Sequence, residues 1–177
     1  MQNILEIRGM CKKYADFSLE NISFAVPKGT IVGMAGENGS GKSTIIKCAL
    51  NIDFMDSGEV EILGKNSFSL KNKDREQIGV IFEQTNFPVT MTPRKIGKML
   101  SKIYRQWDGT AYEMYLEKMK LPADKKLMEF SRGMCQKHAI ISALSHRTKL
   151  LVLDEATSGL DPVIRDEIYD LFLDFVQ

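Results

Sequence analysis

Eight consecutive residues carry the plainest chemical signal in this chain. Gly36-Glu37-Asn38-Gly39-Ser40-Gly41-Lys42-Ser43 fits the spacing Gly-x-x-x-x-Gly-Lys-Ser/Thr. Three glycines let the backbone curl until successive N–H groups point inward at phosphate oxygens. The helical pattern that follows, through Thr44, turns its positive end on the same anion. Lys42 supplies a mobile cation for β- and γ-phosphates, and the Ser43 hydroxyl is a ligand for Mg²⁺. Each charge-assisted bond contributes roughly 1.5–3 kcal/mol, so several together support micromolar binding after entropy losses.

A second candidate lies far along the chain. Leu150-Leu151-Val152-Leu153 reads as a buried strand that ends in two carboxylates, Asp154 and Glu155. In parallel sheets ligands sit at the carboxyl ends of strands. Neighbouring strand residues point opposite ways, so the two acids need not share a task. Asp154 suits the Mg²⁺ shell, directly or through water, and Glu155 suits polarising the water that attacks a γ-phosphate. Taken alone, an apolar strand followed by Asp-Glu is ordinary; beside the phosphate loop it gains meaning.

These residues need elements to position them. Ile22, Phe24 and Val26 alternate as in sheet before a turn at Pro27-Lys28-Gly29. Thr30 to Ala35 reads as a buried strand feeding the loop, and Lys42 to Leu50 as a helix. Glu59 to Leu63 and Ile78 to Phe82 read as short strands, the second bordered by a charged run from Lys71 to Glu76 that reads as solvated. From Pro93 to His146 the pattern is helical, with apolar repeats at Ile96, Met99, Leu100, Ile103 and Tyr104, then at Tyr112, Tyr115, Leu116 and Met119. Asp161 is an N-cap, with Pro162 at the first position of a last helix. Ile164, Ile168, Phe172 and Phe175 lie on one face of it.

Composition narrows the class. The 177 residues are 44% hydrophobic and 27% charged, as in a globular protein able to bury a core without staples. A net charge of +1 leaves no electrostatic footprint for nucleic acid. Cys11, Cys48 and Cys135 are odd in number and widely spaced, which favours a reducing compartment. There is no signal-peptide pattern at the start and no apolar run of about 18 residues, so any membrane role comes through a partner.

With these motifs in place the chain resembles the ABC ATPase family over nearly its whole length. Phe130-Ser131-Arg132-Gly133-Met134-Cys135-Gln136-Lys137 is similar to the family's signature segment, although Arg132 and Met134 depart from the commonest Leu-Ser-Gly-Gly-Gln form. The resemblance implies an α/β fold of the P-loop NTPase type, with a mixed β core, an antiparallel β subdomain and an inserted α-helical lobe. The ATP-binding core would comprise residues 1–85 and 148–177, and residues 86–147 the lobe with the signature. ATP and Mg²⁺ are the implied ligands. Ser131 and Gly133 would donate to the γ-phosphate held by a second subunit. Gln84 resembles the glutamine that contacts Mg²⁺ and the attacking water, and Ser158-Gly159-Leu160-Asp161 resembles the loop that bridges the two ATP sites. Tyr14 stands where an aromatic stacks on adenine, with Phe17 the rival for that role and simple packing the alternative.

The function this resemblance implies is an ATP-hydrolysing motor on the cytoplasmic side of a membrane. Two such subunits would close over ATP and drive a membrane-spanning permease, and the signature variant hints at export. A soluble member of the family acting on DNA or ribosomes is the alternative, and the charge argues against it. The family's switch histidine would lie beyond the last helix. His138 and His146 both precede the acidic strand and read as a helix-surface and a helix-end residue. The last helix ends without a capping glycine, and its apolar face needs missing strands or a substitute, which points the same way, to a fragment. A hydrolysis-impaired regulatory subunit is the third reading. Ala156 stands where the family usually has proline, and Trp107 reads as lobe packing.

Overall fold

The computed structural model describes residues 2–82 and 87–176. Packing divides the chain into two compact units, one running to Arg75 and including Val176, the other spanning Glu76–Phe175. Grouped this way, the acidic strand and the last helix fall with the helices, whereas the division by function drew the lobe at residues 86–147.

The first unit is a sheet with one substantial helix. It contains β1 (Asn3–Lys13), β2 (Ser18–Pro27), α1 (Lys42–Ala49), β3 (Ser57–Ile62), β4 (Lys65–Asn66) and the single-turn α2 (Asn72–Arg75). The four strands run antiparallel in the order β2-β1-β3-β4. Ile7 of β1 lies opposite Phe24 on one side and Val60 on the other. The alternation expected for β2 is present: Ile22, Phe24 and Val26 are partly buried between exposed Ser23 and Ala25. Leu5, Ile7, Met10, Val60 and Ile62 are buried, as are Ile46, Cys48 and Ala49 on one side of α1.

The second unit holds β5 (Ile78–Ile81), α3 (Pro93–Ile103), α4 (Gly109–Lys118), α5 (Arg132–Leu144), β6 (Leu150–Leu153) and α6 (Pro162–Val176). β5 and β6 pair in parallel, from Ile78 opposite Leu150 to Ile81 opposite Leu153. Each long helix starts on a side-chain cap: Thr92 accepts from the Lys95 N–H, Asp108 from Ala111, Ser131 from Met134 and Asp161 from Ile164. Tyr112 and Leu116 of α4, Ile140 and Ile141 of α5, and Ile168, Leu171 and Phe172 of α6 share one core. Trp107 packs on it, with its ring 5.0 Å from that of Tyr112.

Four expectations are corrected. Thr30–Ala35 joins neither sheet, and Ile31, Val32 and Met34 are 57%, 47% and 37% exposed. An apolar run of that kind is buried only when strands flank it, and among the described residues none pairs with it. The charged run is not wholly solvated, because Asp74 is buried and accepts from Lys65 Nζ at 2.6 Å and from the Lys71 N–H at 3.1 Å. Ile103, at the last position of α3, is exposed, whereas Ile96 and Leu100, earlier on the same helix, are buried. The apolar face of α6 has the substitute that was expected in place of strands, since Ile168 and Phe172 belong to the core shared with α5.

His138, expected on the surface of a helix, is the fourth correction, whereas His146 stands just past the end of α5 as expected. His138 lies in the core, fully buried on the inner face of α5, with Nε2 2.7 Å from the Tyr112 hydroxyl and its ring edge-on to Phe87. His146 is buried as well, stacked on Tyr104 at 4.1 Å with Nδ1 2.8 Å from the Glu76 carbonyl. Burial holds the pKa of both below the ordinary histidine value, to about 4 for His138.

Candidate functional site

In the first unit the glycine loop stands open ahead of α1. Every residue from Gly36 to Ser40 is exposed, and the Ser40 N–H donates to the Glu37 carbonyl to close a tight turn. Gly41 caps α1 at φ 95°, with no side-chain bond to the helix and no acidic residue in the first turn. A side chain there would meet Phe17 and Leu19, each with an atom 2.6 Å from where its Cβ would stand. Glycine is thus required twice over, by conformation and by space. The N–H groups of a first helical turn have no carbonyl of their own helix to bond, which is what makes a helix start suited to an anion.

Lys42 lies across this loop. Its Nζ donates to the carbonyls of Gly36 and Glu37, both at 2.9 Å, and sits 3.5 Å from Ser40 Oγ. The cation is therefore already bound to the loop, against Gly36, Glu37 and Ser40. Ser43 and Thr44 follow in the first turn of α1, both partly buried.

The aromatic pair comes from the loop between β1 and β2. Tyr14 and Phe17 have rings 6.4 Å apart and 28° from parallel, and the Tyr14 N–H donates to the Phe17 carbonyl. The Tyr14 phenol donates to the Asp53 carboxylate, and Thr44 approaches the same hydroxyl. The bond to Asp53 is the main reason the phenol pKa is pushed up to about 12. Phe17 instead lies against Gly41, so of the two rivals Tyr14 keeps the more open ring, 41% exposed. Asp53 and Lys12 were not legible as partners of Tyr14. Asp53 is 39 residues away, in an irregular segment after α1, and no spacing rule reaches it.

The second unit carries the acids and the signature segment. Asp154 continues the β5–β6 pairing, its N–H donating to the Ile81 carbonyl at 2.9 Å, and it is partly buried. Glu155 is exposed and has φ 53°, the left-handed region that a glutamate rarely adopts. The Ser158 N–H donates back to its carbonyl at 3.0 Å, which closes the turn holding that geometry.

Ser131 is the exposed N-cap of α5. Its oxygen accepts from the Met134 N–H at 3.2 Å. Gly133, two residues on, is buried against α6: a Cβ there would come within 2.5 Å of Ile164 Cδ1. Arg132 lies beside Gly159, whose missing Cβ would stand 2.9 Å from the guanidinium. Asp161 caps α6 and is exposed. The signature segment and the Ser158–Asp161 loop are thus in direct contact, a pairing that sequence spacing does not reveal. Gln84 lies outside the described residues. No cluster of three or more His, Cys, Asp or Glu side chains able to hold a metal occurs among the described residues.

A glycine loop with its lysine bound inside it lies in the first unit, and a two-acid strand end and a serine-capped helix lie in the second, as the resemblance to the ABC ATPases implied. The chain matches the ABC transporter family over residues 19–158 and belongs to it. It is 36% identical over 166 residues to the bacitracin transport ATP-binding protein BcrA of Bacillus licheniformis, a match covering 92% of this chain and 54% of that one. It is also 36% identical over 166 residues to the methionine import ATP-binding protein MetN 1 of Listeria monocytogenes, covering 88% and 49%. The chain therefore spans about half the length of the curated relatives it matches. Among solved structures, an ATP-binding subunit of an ABC transporter superposes with a TM-score of 0.85 at 26% identity, over 98% of this chain and 75% of that one. The fold is thus that of the ABC ATPases, with the antiparallel sheet and helical lobe that the resemblance implied.

Proposed function

We propose that this chain binds ATP with Mg²⁺, hydrolyses it to ADP and phosphate, and powers a membrane transporter. The observation that carries this reading is the glycine loop: an exposed turn of backbone ahead of a helix capped by glycine alone, with Lys42 Nζ held against it by two carbonyls 2.9 Å away. Phosphate oxygens would replace those carbonyls as partners of Lys42, while the N–H groups of Gly39 to Thr44 bind the remaining charge. The Tyr14 ring would stack on the base.

The residues this reading assigns to a metal, Ser43, Asp154 and Gln84, would each bring an oxygen donor. Such a set fits Mg²⁺, which favours oxygen ligands and, bound with ATP, neutralises phosphate charge. Glu155 accepts a hydrogen bond from the attacking water, whose oxygen bonds to the γ-phosphorus as the bond to the β-phosphate oxygen breaks. Ser131 and Gly133 would meet the γ-phosphate of a second subunit, and Asp161 would lie along that dimer contact. Residues 1–85 and 148–177 would act as the catalytic core and 86–147 as the lobe that touches the permease.

No helix among the described residues is long and apolar enough to cross a membrane, which supports a peripheral position on a separate membrane-spanning subunit. We place that position on the cytoplasmic face. Export is the direction we propose, on the form of the Ser131–Met134 segment.

Two variants test the roles. Glu155→Gln keeps the shape but not the charge at the attacking water, so it should retain ATP affinity within about twofold and lose roughly 100-fold or more of turnover. Lys42→Ala should weaken ATP binding itself by about tenfold or more, since a charge-assisted bond is lost. Calorimetric titration with Mg-ATP, set beside a phosphate-release assay, separates the two. Equal loss of binding in both variants would refute the assignment.

A further inference from the structure

Tyr14 is held more tightly than an exposed aromatic in a short loop needs to be. Asp53 accepts from its hydroxyl. Lys12 Nζ stands 5.0 Å from its ring centroid and 3.4 Å from Asp53 Oδ1, and also donates to the Phe54 carbonyl at 2.7 Å. The Phe54 N–H donates to Asp53 Oδ1 at 2.8 Å, which fixes the carboxylate from behind. Two more bonds fasten the same segment to the end of β1: the Lys13 N–H to Asp56 Oδ2 at 2.7 Å and the Asp56 N–H to the Cys11 carbonyl at 2.8 Å.

The segment so fastened, residues 51–56, leaves the C-terminal end of α1, whose N-terminal end carries the phosphate loop. Thr44, in the first turn of α1, approaches the same phenol. The ring is thus registered against the helix that carries the phosphate loop from both its ends. Lys12 draws on one face of the ring by cation–π attraction, and the hydroxyl is engaged by a carboxylate. What the tyrosine still offers a ligand is a ring face at a set distance from the loop, and no free polar edge.

We propose that Asp53, with Lys12 beneath it, is the positioning residue that fixes Tyr14 as the base platform of the nucleotide site. The inference rests on the reading of Tyr14 as that platform. It assigns the tyrosine hydroxyl to orientation of the ring and not to recognition of the base, so the clasp contributes only to the base-dependent part of nucleotide affinity.

The test compares Mg-ATP with inorganic tripolyphosphate, which has the phosphates and no base, by calorimetric titration of the chain and its variants. Tyr14→Ala removes the ring and should weaken ATP binding about tenfold, as expected for a lost base–aromatic stack. Tyr14→Phe and Asp53→Ala each free a ring or its anchor, and each should weaken ATP roughly threefold to fivefold, the worth of one hydrogen bond. Combined, those two should weaken it no further, because both break the same bond. Asp53→Asn keeps an acceptor oxygen in place and should recover most of the loss. Tripolyphosphate affinity should stay unchanged throughout.

If Tyr14→Ala weakens ATP but Tyr14→Phe and Asp53→Ala do not, the clasp is overturned and the platform reading stands. No effect of Tyr14→Ala would overturn the platform itself and the clasp with it. Parallel loss of ATP and tripolyphosphate in the Asp53 variants would show that Asp53 merely supports the loop, as would a failure of Asp53→Asn to recover affinity, and either result defeats the proposal.

Discussion

Glu155 occupies a left-handed backbone conformation at φ 53°, in a turn closed by the bond from Ser158. For a residue with a Cβ this conformation costs roughly 1–2 kcal/mol, and such strain tends to collect where a side chain must be aimed. Asparagine tolerates the region best among residues with a side chain, and a β-branched residue tolerates it worst. Glu155→Asn should therefore raise stability by about 0.5–1 kcal/mol while abolishing turnover, and Glu155→Val should lower stability by at least as much. Urea unfolding of the three proteins checks the order. A fall in stability with asparagine would mean that the glutamate side chain itself stabilises the turn.

At the scale of elements, α5 carries a buried histidine in a setting that opposes its protonation. His138 Nε2 meets the Tyr112 hydroxyl, which is also 3.0 Å from the Pro93 carbonyl, while Nδ1 has no hydrogen-bond partner among the described residues. With the phenol donating to Pro93, His138 holds its proton on Nε2 and leaves Nδ1 a bare acceptor, the cheaper orphan. Protonation would bury an unpaired donor and a charge, so burial holds the pKa at about 4. The folded value lies below the unfolded one, near 6.5, so the unfolded chain takes up the proton first. Stability is then fully present above pH 6.5 and declines as pH falls toward 4, by about 3 kcal/mol from this residue. His146, shifted the same way, adds to the decline. Urea midpoints measured from pH 7.5 to 4.5 should fall steadily, and His138→Gln should flatten the slope; an unchanged slope in the variant would place the effect elsewhere. The helices were legible in sequence because their signals are local: Asp161-Pro162 opens α6, and apolar spacing marks the buried faces of α3 and α4. The depth of His138 was not legible, because a histidine among Lys137 and Gln136 looks polar until the fold turns α5 inward.

Across the whole molecule the two parts of the proposed site differ in how much sequence could say. The glycine loop is contiguous, so its residues declare themselves together, and the structure keeps Gly36 to Thr44 as one turn and helix start. Contacts made over long separations were invisible: Asp53 on Tyr14, Arg132 beside Gly159, Ile164 over Gly133. The strand expected at Thr30–Ala35 failed for the related reason that a strand depends on neighbours its own residues do not specify. Ile31, Val32 and Met34 are exposed outside both sheets, whereas the β5–β6 pairing is ordered from Ile78 to Leu153. Amide exchange should therefore be fast from Ile31 to Ala35 and slow at Val80 and Val152. Mass-spectrometric hydrogen exchange resolves those segments, and equal protection in both would contradict the difference in pairing.

The bridge that Lys42 makes between the Gly36 and Glu37 carbonyls has a thermodynamic consequence of its own. A lysine side chain gives up as much as about 2 kcal/mol of rotamer entropy when it is immobilised. Here that loss accompanies folding of the loop, and under the proposed function a triphosphate would meet an ammonium group that is already still. Association becomes an exchange of oxygens around a stationary cation, and its enthalpy is a difference between two sets of bonds.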